Sequence, residues 1–309
     1  MKKKEHVPVL LDPVLAGLNI RPGGRYVDGT FGRGGHSSAL LKRLDNGGRL
    51  LAIDRDPQAI AQADEALLKD ARFELIQGEF AELKRYAVER KILGKVDGLL
   101  LDLGVSSPQL DEAARGFSFQ SDGPLDMRMD PGSGQSAADW LAQVDEKDLK
   151  KVLAQLGEER FAGRIAKAIV SARGSKPIRT TKELADLVTG VVPARGQRKN
   201  PATKTFQAIR IFINRELEQL EQALATCLDV LAPGGRLCVI SFHSLEDRRV
   251  KRFMRSAAQE PAQFRGLPDV PEEFRPRLKL IGKVVTASEE EIAANVRARS
   301  ARLRIAERL

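Results

Sequence analysis

The feature that most constrains this chain is a glycine-rich turn between an apolar segment and a helix. Residues 26–36 read Tyr-Val-Asp-Gly-Thr-Phe-Gly-Arg-Gly-Gly-His, and a second apolar segment, residues 50–54, ends on the carboxylate of Asp54. A strand, a glycine turn, a helix and a second strand ending on an acid form the unit with which an α/β sheet binds an adenosine-containing cofactor. The glycines let the backbone approach the ligand, and the carboxylate accepts hydrogen bonds from the ribose hydroxyls.

The residues of the turn indicate which cofactor binds. A dinucleotide site needs the spacing G-x-G-x-x-G, whereas residues 32–37 read Gly-Arg-Gly-Gly-His-Ser and place Ser37 at the last glycine position. The sequence also contains no G-x-x-x-x-G-K-[ST] phosphate loop. The acidic Asp28 ahead of the glycines suits a cofactor with a sulfonium and an ammonium group better than one with a pyrophosphate. These observations predict S-adenosylmethionine rather than NAD.

Short strand and helix patterns alternate over the first hundred residues. Near-continuous apolar runs are typical of strands buried on both faces, as in a parallel sheet covered by helices. The predicted strands are 24–28, 49–54, 72–76, 96–102 and, further along, 236–242 and 303–305, and the early helices are 34–44 and 80–90. Because the carboxyl ends of parallel strands share one edge, the polar residues that close the early strands are expected to lie together. They are Asp28, Asp54, the turn at 78–80 and Asp102.

The alternation breaks after Asp102 and resumes at Phe206, where the pattern predicts one long helix over 206–228. The intervening chain is predicted to be helical, with an amphipathic helix over 157–171. We therefore expect a Rossmann-like α/β domain interrupted by an inserted helical domain that recognises the substrate. The expected bounds are 1–110 and 206–309 for the sheet domain and 111–205 for the insert.

The charge of the chain is concentrated in the insert. The net charge is +9, and residues 160–205 alone hold eleven Lys or Arg against two acids, whereas residues 111–159 sum to −6. A concentrated basic face favours a polyanionic partner, because each neutralised phosphate releases counterions; the alternative is a solvated helical surface. The residues expected to contact phosphates are Arg160, Arg164, Lys167, Arg195, Arg198, Lys199 and Lys204.

Both cysteines, Cys227 and Cys238, stand in apolar, periodic surroundings without metal-ligand spacing. They are expected to be buried free thiols, as in a reducing compartment. No apolar run approaches the length of a membrane span, and no signal-peptide core follows the basic N-terminus. We therefore expect a cytoplasmic protein without a catalytic metal.

Several strings go beyond generic patterning. They include Asp-Gly-Thr-Phe-Gly-Arg-Gly-Gly-His at 28–36, Leu-Asp-Leu-Gly-Val-Ser-Ser-Pro-Gln-Leu at 101–110, Arg-Gly-Phe-Ser-Phe at 115–119, Gly-Pro-Leu-Asp-Met-Arg-Met-Asp at 123–130 and Ser-Phe-His-Ser-Leu-Glu-Asp-Arg at 241–248. These strings closely resemble the ribosomal RNA small subunit methyltransferase H family (MraW/RsmH), and the resemblance covers essentially the whole chain. One departure is Val296, which stands where the family commonly has Pro.

The resemblance implies a fold, a reaction and a site. The fold would be the Rossmann-like sheet of class I S-adenosylmethionine-dependent methyltransferases with an inserted helical domain. The reaction would transfer a methyl group from S-adenosylmethionine to N4 of a cytidine in the decoding region of bacterial 16S rRNA, within the small ribosomal subunit. The cofactor would be bound by Gly34, Gly35, His36, Asp54, Phe80, Asp102 and Gln109.

These residues also have simpler structural interpretations. Asp54 is expected to bind the ribose, but it could instead cap the next helix, a role that Asp56 fits better. Phe80 is expected to contact the adenine, with ordinary core packing as the alternative. His36 could be a helix cap or a packed side chain that touches the ligand only through its backbone.

The reaction itself points to Asp102 as the catalytic residue. The lone pair of cytosine N4 is delocalised into the ring, so the amine is a poor nucleophile that needs alignment. Asp102 either accepts a hydrogen bond from this amine or binds the methionine end of the cofactor, which the resemblance favours, or does both. A covalent mechanism through Cys227 or Cys238 is not expected, because both lie inside predicted elements. His243 suits RNA contact and loop structure equally.

Other functions remain open at this point. An RNA-binding ribosome assembly factor could retain the fold without turnover, although the intact acids at the strand ends argue against it. A methyltransferase of another nucleic acid or of a small molecule would carry the same cofactor motif. A nicotinamide oxidoreductase is disfavoured by the missing third glycine.

Overall fold

The computed structural model describes residues 8–193, 200–260, 262–264 and 271–309. They belong to two compact units, one formed by Met1–Gly104 and Leu217–Leu309 and the other by Val105–Glu216. We call these the sheet unit and the helical unit. Their boundaries fall at 104/105 and 216/217, whereas the sequence led us to expect 110/111 and 205/206.

The sheet unit is organised around one mixed β-sheet. In the described residues its strands are β1 (Arg25–Asp28), β2 (Arg49–Asp54), β3 (Phe73–Gln77), β4 (Val96–Asp102), β5 (Leu231–Ser241), β6 (Leu278–Leu280), β7 (Val285–Thr286) and β8 (Arg302–Arg308). Their order is β3-β2-β1-β4-β5-β8-β6, with β7 also paired to β8. Strands β1 to β5 run parallel, and β8 runs antiparallel to its three neighbours. This order confirms the expected Rossmann-like sheet, and β6 and β7 are additions that the sequence pattern did not predict.

Helices connect and cover these strands. The α-helices are α1 (Leu11–Leu18), α2 (Gly35–Leu41), α3 (Pro57–Ala61), α4 (Glu65–Leu68), α5 (Leu83–Glu89), α6 (Ser107–Asp111), α7 (Ala137–Gln143), α8 (Glu146–Gly157), α9 (Ala162–Ser175), α10 (Thr181–Val191), α11 (Ala202–Ile213), α12 (Glu216–Val230), α13 (Ser244–Ala257) and α14 (Glu289–Ala294). Short 3-10 helices cover Phe80–Glu82, Ala113–Arg115, Ala262–Phe264, Glu272–Phe274 and Val296–Ser300.

Strand β4 shows why the apolar runs are nearly continuous. Successive side chains of a strand point to opposite faces of the sheet. Leu99 and Leu101 pack in the core cluster that contains Leu224 of α12. Leu100 lies in the cluster on the other face, with Leu18 of α1. Because helices cover both faces, the middle of the strand, residues 98–101, is fully buried, and its two acids, Asp97 and Asp102, lie towards its ends.

Helices α8 to α11 build a separate core in the helical unit. Leu153 of α8, Ile165 and Ile169 of α9, and Phe206 and Ile209 of α11 are buried in one cluster. The apolar face of α11 is thus buried inside the helical unit. The helical unit therefore ends after α11, at Glu216, and not near the start of that helix as expected.

The prediction of one helix over 206–228 was wrong. The chain breaks between α11 and α12, where Arg215 adopts a left-handed conformation with φ 50°. The buried side chain of Asn214 donates to the carbonyl oxygens of Met127 (2.7 Å) and Arg210 (2.9 Å), and its Oδ1 accepts from the N–H of Met129 (2.8 Å). Asn214 thereby fixes the 127–129 segment against the end of α11.

In the described part of the chain, no helix is long and apolar enough to cross a membrane.

Replacing Asn214 by Ala should destabilise the helical unit by about 2–3 kcal/mol, because the buried N–H of Met129 and the carbonyl of Met127 lose their partner. Urea denaturation followed by the fluorescence of Trp140, the only tryptophan of the chain and a core residue of this unit, measures the effect. As a control, Gln222→Ala alters an exposed amide on α12 and should change stability by less than about 0.5 kcal/mol. An Asn214→Ala protein as stable as this control would contradict the assigned role.

Candidate active site

Three carboxylates close three neighbouring strands of the sheet. Asp28 ends β1, Asp54 ends β2 and Asp102 ends β4, and β1 lies between the other two strands. The strands are parallel, so these residues share one edge of the sheet. The expected co-location of the three acids is therefore observed.

The loop after β1 is fastened to both neighbouring strands. The N–H of Gly29 donates to the carbonyl of Leu100 in β4 (2.9 Å), and the N–H of Phe31 donates to the carbonyl of Ile53 in β2 (2.8 Å). These two bonds continue the sheet pairing past the end of β1 and hold the loop between Asp54 and Asp102.

Packing within the loop accounts for its later glycines. Gly34 has φ 71°, and a Cβ atom there would lie 2.7 Å from the ring of Phe31. A Cβ atom on Gly35 would overlap the ring of Pro8. Both positions therefore need glycine before any ligand is considered, and their contact with a cofactor remains a prediction.

Asp28 stabilises the loop after β1 through hydrogen bonds with two of the residues that follow it. Its side chain is buried and accepts hydrogen bonds from the Oγ of Ser37 (2.7 Å) and the N–H of Thr30 (3.1 Å). Burial raises the pKa of the Asp28 carboxyl, although the bond from Ser37 opposes the shift. Asp28 is thus committed to internal contacts.

Thr30 and Ser37 are residues that the sequence reasoning missed. Besides bonding Asp28, Thr30 accepts a hydrogen bond at Oγ1 from the N–H of Asp102 (2.6 Å), and so links the ends of β1 and β4. The Asp-Gly-Thr string carried a usable signal, because Asp side chains commonly bond the backbone two residues further on.

Asp54 ties the β1 loop to the end of β2. Its Oδ2 accepts from the N–H of Gly32 (2.7 Å) and its Oδ1 from the N–H of Asp56 (2.8 Å). Burial raises the pKa of Asp54 to about 6. The neighbouring Asp56 caps α3 by accepting from the N–H of Gln58 (2.9 Å). The residue that caps α3 is thus Asp56 and not Asp54, as expected.

His36 and Asp102 form a pair at the same edge. Nε2 of the buried His36 lies 3.6 Å from Oδ2 of Asp102. Burial alone would lower the pKa of His36, but the carboxylates of Asp102 and Asp28 outweigh it and raise this pKa above its usual value. The other oxygen of Asp102, Oδ1, is buried and has no hydrogen-bond partner among the described residues.

Phe80 begins the 3-10 helix that follows β3. Its half-buried side chain packs against the core of the sheet. A Cβ atom on Gly29 would lie 3.3 Å from the Cβ of Phe80, so this residue lies beside the β1 loop. Core packing is thus observed, and contact with an adenine remains a prediction.

Gln109 is the one expected cofactor residue that belongs to the helical unit. Its Oε1 accepts a hydrogen bond from the N–H of Ser106 (2.9 Å) and so takes part in a capping box at the start of α6. The remaining six, including Asp54 and Asp102, lie in the sheet unit.

His243 and the cysteines have structural surroundings. His243 caps α13, since its Nδ1 accepts from the N–H of Glu246 (3.4 Å). Cys227 and Cys238 are free and buried, and burial raises the pKa of each thiol to about 12. Such thiols are poor nucleophiles at neutral pH.

The basic residues of the helical unit fall into several groups. Arg164 and Lys167 are exposed on neighbouring turns of α9, and Arg160 is exposed just before that helix begins. Lys204 is exposed, with its Nζ donating to the carbonyl of Glu158 (2.8 Å). Arg173 instead donates to the carbonyls of residues 141 and 144, a structural role. The other expected phosphate contacts, Arg195, Arg198 and Lys199, lie outside the described residues.

If Asp54 binds ribose hydroxyls, affinity for the product S-adenosylhomocysteine should rise as pH increases through about 6. The ionised carboxylate accepts both hydroxyl protons, whereas the protonated form that dominates below this pH accepts them less well. Isothermal calorimetry between pH 5 and 7.5 measures the change, and Asp54→Asn should remove the component with a midpoint near 6. A wild-type profile identical to that of Asp54→Asn would contradict ribose binding by Asp54.

Known proteins with similar structures share little sequence with this chain. A candidate rRNA methylase from Clostridium thermocellum is 13% identical over 98% of this chain and 100% of its own, with a TM-score of 0.47. An rRNA methylase from Streptococcus thermophilus is 13% identical over 96% and 93%, with a TM-score of 0.41. Fibrillarin from Aeropyrum pernix, solved with natively bound S-adenosyl-L-methionine, is 10% identical over 96% and 73%, with a TM-score of 0.40.

The sequence itself gives the family. The model of the MraW methylase family matches residues 3–309, nearly the whole chain. Together with the strand order, this match confirms the expected fold class, a class I methyltransferase sheet with a helical insert. The protein therefore belongs to the MraW methylase family, and S-adenosylmethionine is its cofactor.

Proposed function

We propose that the protein transfers a methyl group from S-adenosylmethionine to N4 of a cytidine in the decoding region of 16S rRNA. The observation that carries the proposal is the edge of the sheet where Asp54 and Asp102 flank the fastened β1 loop. The rRNA target is supported by membership of the family and by the resemblance of the 101–110, 123–130 and 241–248 strings to the 16S rRNA enzymes.

The residues at this edge fit the cofactor. Each oxygen of Asp54 accepts one backbone N–H, and an ionised carboxylate has about four acceptor positions. Two positions are thus left for the two ribose hydroxyls. Phe80, beside the loop, offers an aromatic surface to the adenine.

Asp102 suits the cationic end of the cofactor. Its buried Oδ1 lacks a partner, and a buried charged oxygen without one is costly. The ammonium group of the methionine part would supply that partner. Nε2 of His36 lies 3.6 Å from the other oxygen, and its raised pKa favours the charged imidazole beside this carboxylate. Asp102 is thus proposed as a cofactor ligand at the reacting end of the site.

The chemistry requires alignment more than activation of the donor. The cofactor supplies a methyl group that its sulfonium already activates. The target cytosine must leave its stack, because only an unstacked base can bring N4 to this edge of the sheet. Holding the amine in line with the methyl carbon converts the encounter into an effectively intramolecular step, which accounts for much of the acceleration. As the new C–N bond forms, the bond between the sulfonium sulfur and the methyl carbon would break with its electron pair left on sulfur, and N4 would release one proton to solvent.

The helical unit offers cations to the RNA. Arg164 and Lys167 present two exposed positive charges on neighbouring turns of α9, and the exposed Arg160 lies just before its start. Such a row suits consecutive phosphates of a single strand. We propose that the reaction takes place in the cytoplasm, on the small ribosomal subunit. The two free buried cysteines of the protein are consistent with such a reducing compartment.

Small-subunit particles that lack the modification should accept a labelled methyl group from the wild-type protein, and digestion with mass spectrometry should identify N4-methylcytidine. Asp54→Ala should raise the KM for S-adenosylmethionine by about ten- to a hundredfold, because a carboxylate that holds two hydroxyls is lost.

The matched control is Asp70→Ala, an acid that precedes β3 at the opposite edge of the sheet and pairs with Arg72. It should leave the KM within about twofold of wild type. No methyl incorporation by the wild-type protein would refute the proposed function and would favour an assembly factor without turnover. A methyl group on another nucleoside would refute the cytidine target.

A further inference from the structure

The sheet unit contains a polar cavity at the edge of the sheet where the strand-end carboxylates lie. It has a volume of about 560 Å³ and begins directly after β5, where Phe242 and His243 contribute to its wall. Ile240 of β5 is in register with Asp102 of the parallel strand β4. The cavity therefore lies at the same edge of the sheet as Asp102, one strand further along.

Two walls of different origin face this cavity. Ser244, Arg248 and Lys251 contribute from α13, and their spacing of four and three residues puts them on one face of the helix. The opposite wall comes from the C-terminal part of the chain. It contains Thr286 of β7, Arg299 of the last 3-10 helix and Arg302 of β8. Thr286 and Arg302 are paired in register, so the sheet itself fixes this wall.

The lining is strongly cationic. Four basic side chains line the cavity against one carboxylate, that of Asp247. The four are Arg248, Lys251, Arg299 and Arg302. Asp247 pairs with only one of the four, Arg302 (3.2 Å), and its other hydrogen bonds come from Arg304 (2.7 and 3.1 Å), which does not line the cavity.

Two of these cations have no counterion within the described chain. The side chains of Lys251 and Arg299 form no ion pair or hydrogen bond with any residue that the structure describes. Like charges gathered around a concave surface repel one another and raise the local concentration of anions. The hydroxyls of Ser244, Thr286 and Ser300 add neutral donors to the same lining. This combination of cations and hydroxyls is suited to the oxygens of a phosphate group.

We propose that this cavity binds a backbone phosphate of the RNA substrate. The proposal rests on the proposed function, since RNA is the polyanion that the methyl transfer brings to this edge of the sheet. A phosphodiester bound beside β5 would anchor the RNA on the sheet unit itself, next to the residues proposed to bind the cofactor. RNA binding would then involve both units of the chain rather than the helical unit alone.

The test uses the full-length protein and a fluorescently labelled single-stranded RNA that contains the target cytidine and its flanking sequence. Anisotropy titrations at several KCl concentrations give the affinity and its salt dependence. Lys251→Gln and Arg299→Gln should each weaken RNA binding by about three- to tenfold, and the double variant should reduce the salt slope by about 0.7 for the lost phosphate. Calorimetry should find the affinity for S-adenosylhomocysteine unchanged.

The matched control is Arg252→Gln, an exposed residue of α13 that does not line the cavity. It removes the same charge from the same helix and should have a clearly smaller effect, whereas Lys251→Arg should retain binding. Equal losses for Arg252→Gln and Arg299→Gln would overturn the proposal in favour of general attraction. Unchanged RNA affinity in the double variant would also overturn it.

The cavity and the proposed function can fail separately. If the wild-type protein methylates the particles but the variants bind RNA normally, only the cavity assignment fails. If the wild-type protein methylates no rRNA, the proposed function fails whatever the variants do.

Discussion

The active edge of this protein depends on one short loop that continues the pairing of β1 after the strand has ended. The N–H groups of Gly29 and Phe31 bond to β4 and β2, and Thr30 accepts the N–H of Asp102. Three consecutive residues thus hold the ends of three strands at a fixed separation. The glycines that follow let the chain turn directly into α2, which delivers His36 to Asp102.

The three carboxylates at this edge have different surroundings and therefore different tasks. Asp28 is buried and satisfied by Ser37 and Thr30, so it stabilises the loop. Asp54 shares its oxygens between two backbone N–H groups and keeps acceptor capacity for a ligand. Asp102 has a buried oxygen without a partner in the described chain. Acids that look equivalent in the sequence thus have different roles. Asp28 supports the loop, whereas Asp102 has an oxygen that needs a partner from a ligand.

The sheet could be predicted well because strands buried on both faces appear in the sequence as near-continuous apolar runs. The bounds of β2 and β4 match the predicted 49–54 and 96–102, since an apolar run ends where the strand reaches the polar edge. The break before α12 has no comparable sequence signal, because Asn214 and Arg215 are neither glycine nor proline. It arises from tertiary contacts, namely the bonds of Asn214 to the 127–129 segment. Strands of two or three residues such as β7 are too short for a periodic pattern.

The site was only partly visible in the sequence. The acids and glycines could be identified because their spacing follows the strands, and the roles of Thr30 and Ser37 depended on a local turn that the pattern suggested only weakly. The cationic cavity beside β5 could not be predicted, because it joins α13 to a C-terminal segment some fifty residues away along the chain. Its basic residues are scattered in the sequence, and the pairing of β5, β8 and β7 brings them together.

We propose that the strand-end carboxylates hold S-adenosylmethionine across the β1 loop. A crystal structure of the protein with S-adenosylhomocysteine tests it most directly. We expect both ribose hydroxyls within hydrogen-bond distance of Asp54, the adenine against Phe80 and the ammonium group on Oδ1 of Asp102. A ligand whose ribose does not contact Asp54, or whose amino-acid end lies away from Asp102, would contradict it.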